Sequence, residues 1–244
     1  MIRSLTALAL IPLPALAEVP RVMTDIAPIH SLTAQVMGAL GTPDLLLPPG
    51  ADPHDFALRP SDAQKLGDAD VVIWVGEGLT PWLEEPLATL APQASVMTLL
   101  ETEGWTKLDI REVKDMGDHD DHGHDDHDHA HDHGDFDPHA WLDPSVAQVW
   151  LTLIAADLSQ TDPDNAATYQ ANAAAASADL DALQDRLRTT LAGVTDRAYV
   201  LPHDGYQYFE EHFGLTAQAA IAGIDARTPG PAQIASLRDE MADA

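Results

Sequence analysis

Cysteine is absent from the 244 residues. That excludes a disulfide framework, thiolate zinc sites, iron–sulfur clusters and cysteine nucleophiles together. Basic residues are scarce, with 12 Lys and Arg against 40 Asp and Glu, a formal net charge of −28. Such a balance repels phosphate backbones and excludes sequence-independent nucleic-acid binding, while it suits the attraction of cations. Aromatic residues make up only 5%, but hydrophobic residues reach 45%, enough to build a core and to exclude disorder of the whole chain. No apolar run attains the ~18 residues needed to span a bilayer. A phosphate loop, a Gly-x-Ser-x-Gly elbow and a His-Glu-x-x-His helix are all missing.

What is present begins with an export signal. Arg3 gives a short positive start, Leu5 to Leu16 is apolar, and Ala15-Leu16-Ala17 has the small-x-small form of a signal-peptidase site. The pattern predicts a signal peptide over 1–17, export to the periplasm and a mature protein from Glu18. Beyond it, strands and helices alternate. Strands are expected at 21–26, 44–47, 70–75 and 95–100, with helices at 28–40, 61–69 and 81–90 between them. The continuous apolar run at 70–75 is of the kind buried on both faces in a parallel sheet, so the fold class is α/β. A helix is expected over 144–158. A longer one follows, with Asp162 as N-cap, Pro163 at its first position, and apolar residues from Tyr169 to Leu191 at spacings of three and four. A shorter α/β segment closes the chain, with strands at 198–201 and 215–219 and helices at 206–213 and from Pro231. This predicts two lobes with mostly parallel sheets: an N-terminal lobe over 18–160, a long linking helix over 161–193, and a C-terminal lobe over 194–244. The last reads as shortened, having too few residues for an independent sheet domain.

Between Asp115 and Asp137 the composition changes abruptly to ten Asp and seven His. No core can form from such a stretch, which predicts a disordered surface loop. Its histidines, His119, His122, His124, His127, His129, His131 and His133, offer many weak, interchangeable two- or three-ligand sites. Imidazole suits zinc, copper and nickel better than manganese or magnesium, so the loop argues for zinc. Three further histidines sit in loops: His54 in Pro53-His54-Asp55, His139 in Asp137-Pro138-His139, and His203 in Pro202-His203-Asp204. His54 and His203 are expected outside the carboxyl ends of strands, where open α/β sheets bind ligands. Three neutral imidazoles and one further donor complete a tetrahedral zinc site. His30 reads as structural, His212 as a surface residue or a neighbour of the site, and Trp74, Trp141 and Trp150 as core.

Three stretches carry a family resemblance: LLLPPGADPHDFALRPSDAQKLGDADVVIWVGEG at 45–78, FDPHAWLDP at 136–144 after the His/Asp run, and PHDGYQYFEEHFGL at 202–215. In this order they resemble the solute-binding subunits of zinc-uptake ABC transporters, the ZnuA type. The resemblance implies two α/β lobes joined by a long helix, with a single metal between them held by His54, His139 and His203. It implies a non-enzymatic, monomeric protein that captures Zn2+ in the periplasm and delivers it to a membrane permease. Two departures stand out. Pro53 occupies a place that is acidic in some zinc members, and the late Asp that serves other members lies beyond the last residue here. The fourth position is therefore left to water, to Asp52 or Glu77, or to a further segment. A manganese- or iron-binding homologue, a zinc hydrolase and a passive zinc buffer are the alternatives. The hydrolase lacks a positioned general base.

Overall fold

A computed structural model describes residues 19–111 and 136–226, together with residues 230, 235 and 238. The expected signal peptide, the seven histidines from His119 to His133 and all but residues 235 and 238 of the helix expected from Pro231 lie outside the described residues.

The first sheet has four parallel strands in the order β2-β1-β3-β4: β1 Val22–Thr24, β2 Asp44–Leu45, β3 Val71–Trp74 and β4 Ser95–Thr98. The two central strands are buried throughout, β3 as its unbroken apolar sequence requires and β1 with Thr24 donating its hydroxyl to Asp44 O. Helices α1 Ala27–Met37, α2 Pro60–Gly67 and α3 Glu84–Leu90 form the crossovers. Proline stands in the first turn of α1 and of α2, where a missing N–H costs nothing. Glycine ends α1: Gly38 has φ +55, and a Cβ there would lie 2.5 Å from Asn172 Nδ2.

Helix α4 spans Pro144–Thr161. Its N-cap Asp143 accepts a 2.7 Å hydrogen bond from Ser145 N. Val146, Trp150 and Ile154 are buried as their spacing predicts, whereas Val149 and Leu153 are only half-buried, their places taken by Ala147 and Leu151. The long helix α5 runs Ala166–Leu191, about 39 Å at ~1.5 Å per residue. Asp162 does not cap it. The chain first makes a 3-10 turn over Pro163–Asn165, and the Asp162 carboxylate accepts instead from Asn165 Nδ2 at 2.7 Å and Tyr169 OH at 2.8 Å. Tyr169, Ala173 and Ala176 bury their side of α5, and small side chains there let it lie close against α4 and α1. Ile29, Val36, Val72, Trp150, Ile154 and Tyr169 belong to one continuous core.

The second sheet is small. Strands β5 Val200–Leu201 and β6 Ala219–Ala220 pair in parallel, with α6 Gln207–Phe213 between them. Helix α5 precedes this sheet and also touches α6. The chain is thus α/β with mostly parallel sheets, one on either side of its longest helix in sequence.

Candidate metal centre

Each of the three loop histidines enters the site from a different element. His54 follows β2. Backbone bonds from Leu46 N to Thr24 O and from Leu47 N to Asp25 O carry the chain past the sheet edge into the Pro48–Pro53 loop. The side chain of Asp52 accepts from His54 N at 2.9 Å, and Trp82 Nε1 donates to Pro53 O at 2.8 Å. Trp82 also packs on Phe56, with ring centroids 5.2 Å apart. These contacts fix the backbone on either side of His54.

His139 is held more tightly. The Asp137 side chain accepts from His139 N at 2.9 Å, and its Oδ1 lies 2.8 Å from His139 Nδ1. A carboxylate accepts, so the ring proton sits on Nδ1 and the Nε2 lone pair is left facing outward. Asp137 is fully buried, and its N–H donates to Leu108 O at 2.8 Å. Phe136 pairs with Asp109 in an isolated antiparallel bridge. Phe136 and Asp137, read from sequence as the end of the acidic loop, belong to the folded structure. The Trp141 ring lies 5.2 Å from that of His139 and is half-buried, so it packs on the site as well as on the core.

His203 follows β5. Asp204 N bonds to Ala222 O just beyond β6, and Gly205 N turns back to His203 O. Gly205 is there for closeness of approach. A Cβ on it would lie 2.3 Å from His203 Nε2 and 2.9 Å from His139 Nε2. Any side chain would occupy the space between the two rings.

These three histidines meet. One ring nitrogen from each of His54, His139 and His203 lies within 4.8 Å of the other two, and among the described residues this is the cluster of His, Asp and Glu able to hold a metal. His139 Nε2 and His203 Nε2 are 3.4 Å apart, and the ring centroids of His54 and His139 are 5.6 Å apart. His54 Nε2 is buried without a hydrogen-bond partner. Burial, with the His139 and His203 imidazoles nearby, pushes His54 down to about 4, against the pull of Asp52 and Asp225. Burial and His139 likewise lower His203. Depressed values keep these two rings neutral, the form that binds metal, well below their ordinary titration range. Neither Asp52 nor Glu77 joins the cluster, so its three donors are imidazole nitrogens and a tetrahedral cation would take one further donor.

Comparison with known proteins shows the family. A family model described as ZnuA, the periplasmic component A of the zinc-uptake complex, matches residues 22–244. The chain belongs to the ZnuA family. It is 44% identical to the high-affinity zinc uptake system protein ZnuA of Paracoccus denitrificans, over 97% of this chain and 77% of that one. The Brucella abortus protein of the same description is 36% identical over 90% of this chain and 72% of its own. A crystal structure of ZnuA superposes with a TM-score of 0.74 at 24% identity, covering 92% of this chain and 79% of that one. The periplasmic zinc-binding protein TroA of Treponema pallidum gives 0.75 at 21% identity, with coverages of 92% and 74%, a likeness of fold.

Of the residues read from sequence as bystanders, His30 Nε2 lies 3.0 Å from Pro43 O, a structural contact. His212 pairs with Asp143 at 2.7 Å and is not in the triad. Trp74 and Trp150 are core. Sequence reasoning missed Asp137, Gly205 and Trp82. Asp137 was legible as the acid two residues before a candidate ligand, but the composition of the acidic run masked it. Gly205 and Trp82 act through folded geometry, and no local pattern announced them.

Proposed function

We propose that this chain captures zinc in the periplasm through His54, His139 and His203 and passes it to the membrane permease of an ABC importer. Membership of the ZnuA family supports zinc as the cargo and transport as the role, with binding rather than turnover as the task. The observation that carries the site is the convergence of ring nitrogens. Zinc–imidazole bonds of about 2.0–2.1 Å at tetrahedral angles place two nitrogens about 3.3–3.4 Å apart. His139 Nε2 and His203 Nε2 stand 3.4 Å apart, and His54 closes the triangle. The two sheets then serve as lobes on either side of the metal, with α5 as their link. The histidines from His119 to His133 act as weak collectors whose tether raises the metal concentration near the site. The protein works as an exported monomer.

The test is a competition titration with zinc. Replacing His54, His139 or His203 by Ala should weaken the tight site by about a hundredfold or more, since losses of outer-shell contacts alone reach that size. Deleting 118–133 should lower the number of zinc ions bound and leave the tight site intact, because Phe136 and Asp137 are kept. A His203→Ala protein that held zinc as tightly as the unmodified one would refute the assignment.

A further inference from the structure

Beside the triad lies a charge network whose members are not part of the triad itself. Arg111 Nε donates to Asp204 Oδ1 at 2.9 Å and to Asp204 Oδ2 at 3.3 Å. Its Nη2 donates to Asp204 Oδ1 at 2.6 Å and to Glu210 Oε2 at 2.5 Å. Both carboxylates are buried, their side chains 5% and 3% exposed. The other oxygen of Glu210 accepts from Ala217 N at 2.7 Å and from Tyr199 OH. Burial works against the guanidinium's charge, but the two carboxylates outweigh it and raise its proton affinity.

The position of this network gives it a role. Arg111 belongs to a stretch that follows the four-stranded sheet and docks on α6, where Leu108 N donates to Tyr208 OH at 2.9 Å. Leu108 O accepts from Asp137 N, and Asp137 orients His139. Asp204 is the residue after His203. One guanidinium thus ties the strand-end that carries His203 to the segment that fixes His139. We propose that Arg111 is a positioning residue for zinc capture: by clamping Asp204 it holds the His203 imidazole within reach of His139 and His54, and so sets how slowly zinc leaves. This rests on the three-histidine reading above. Arg111 uses a side-on fork to one carboxylate and a second bond to another, a geometry that a lysine ammonium cannot reproduce.

A purely structural role would also explain a guanidinium between two buried acids, so the test must remove the clamp without leaving buried charge. The combined variant Arg111→Met, Asp204→Asn, Glu210→Gln does so, since removing a whole ionic group is far milder than orphaning one partner. Arg111→Lys keeps the charge and loses the fork. Zinc release into excess chelator, X-ray absorption of the zinc-loaded proteins and thermal unfolding without zinc would be measured on all three. The combined variant should release zinc at least about tenfold faster, as lost outer-shell support does. It should also show fewer than three imidazoles around zinc, and Arg111→Lys should fall between it and the unmodified protein. Unchanged release from folded variants that keep three imidazoles would overturn the clamp and leave the triad standing. Fewer than three imidazoles in the unmodified protein would overturn the triad and the clamp together. If the combined variant does not fold, the release rate of Arg111→Lys decides alone.

Discussion

Buried carboxylates are handled in opposite ways at the two sheets. Asp25, just past β1, is fully buried, and its oxygens accept from Ile26 N and Val75 N at 2.7 Å each. Backbone dipoles alone answer it there. At the second sheet Asp204 and Glu210 are met by the full charge of Arg111. The difference follows from what each region has to pack. The first sheet buries Val71 to Val75 and a continuous apolar core around them, so its strands are held by area removed from water. The second has two residues per strand and little apolar mass, so charge takes over the work of alignment. The triad draws on both kinds of support, with His54 delivered by packing and His203 by charge. The site and the core are therefore separable targets for mutation.

The largest effect should come from the closest approach. In Gly205→Ala a methyl would stand 2.3 Å from His203 Nε2 and 2.9 Å from His139 Nε2, so both rings must move. Zinc affinity should fall by more than about a hundredfold, beyond what loss of an outer-shell contact produces. Circular dichroism should be unchanged, because the first sheet does not depend on this residue. Affinity within tenfold of the original would show that the second region has slack that the structure does not display.

Much of this architecture was legible in the sequence, and the failures have local causes. The strand at 70–75 and the helices around it follow from apolar runs and proline positions, and they appear within a few residues of expectation. The strand expected over 215–219 shrinks to Ala219–Ala220 because Glu210 intervenes. Leu215 N bonds to its carbonyl and Ala217 N to its carboxylate, so these groups are lost to the sheet ladder. Likewise Asp162 looks like an N-cap but is drawn off by Tyr169 and Asn165. His54, His139 and His203 could be singled out because each stands next to proline in a loop and within a stretch that resembles the ZnuA type, and the fold brings them together. Their supports could not, since Trp82 and Arg111 act across separations that no spacing encodes, and Gly205 matters for how closely the fold brings His139 to it.

Asp25 offers the next largest effect and tests the first region. Burial raises its carboxyl from 3.8 to about 7, against the two N–H groups that favour its charged form. A raised carboxyl makes the fold most stable when it is protonated, so its contribution is present at low pH and is lost as pH climbs from 3.8 through about 7. At ~1.4 kcal/mol per unit the swing is at most about 4 kcal/mol. Asp25→Asn cannot ionise. Urea unfolding of both zinc-free proteins between pH 4 and 8 should show the variant gaining on the original as pH rises. A constant difference across that range would mean that the two backbone donors hold the carboxylate charged throughout.

Asp137 lies between the two regions in sequence and holds His139, which follows no strand of either sheet. Asp137→Ala removes the acceptor that orients the His139 ring and should weaken zinc binding by about ten- to a hundredfold. Asp137→Asn keeps a carbonyl oxygen facing Nδ1 and should recover most of the loss. Equal damage from both would locate the effect in charge rather than in orientation, and would place His139 with the charge-held arm.

The smallest effect is expected at Trp82, on the arm that packing holds. Its indole N–H donates to the carbonyl of Pro53, the residue before His54, while its ring rests against Phe56. Trp82→Phe keeps an aromatic ring there and deletes the donor. A neutral hydrogen bond of this kind contributes about 0.5–1.5 kcal/mol net. Part of that loss should reach the metal as a looser His54 loop, so zinc affinity should drop by only about two- to tenfold. No charge is removed, so the drop should be the same in low and high salt. Surface electrostatics, by contrast, are screened within about 10 Å at 0.1 M salt. A hundredfold loss, or one that vanished in high salt, would show that His54 is not placed by packing, and the contrast between the two arms would fail.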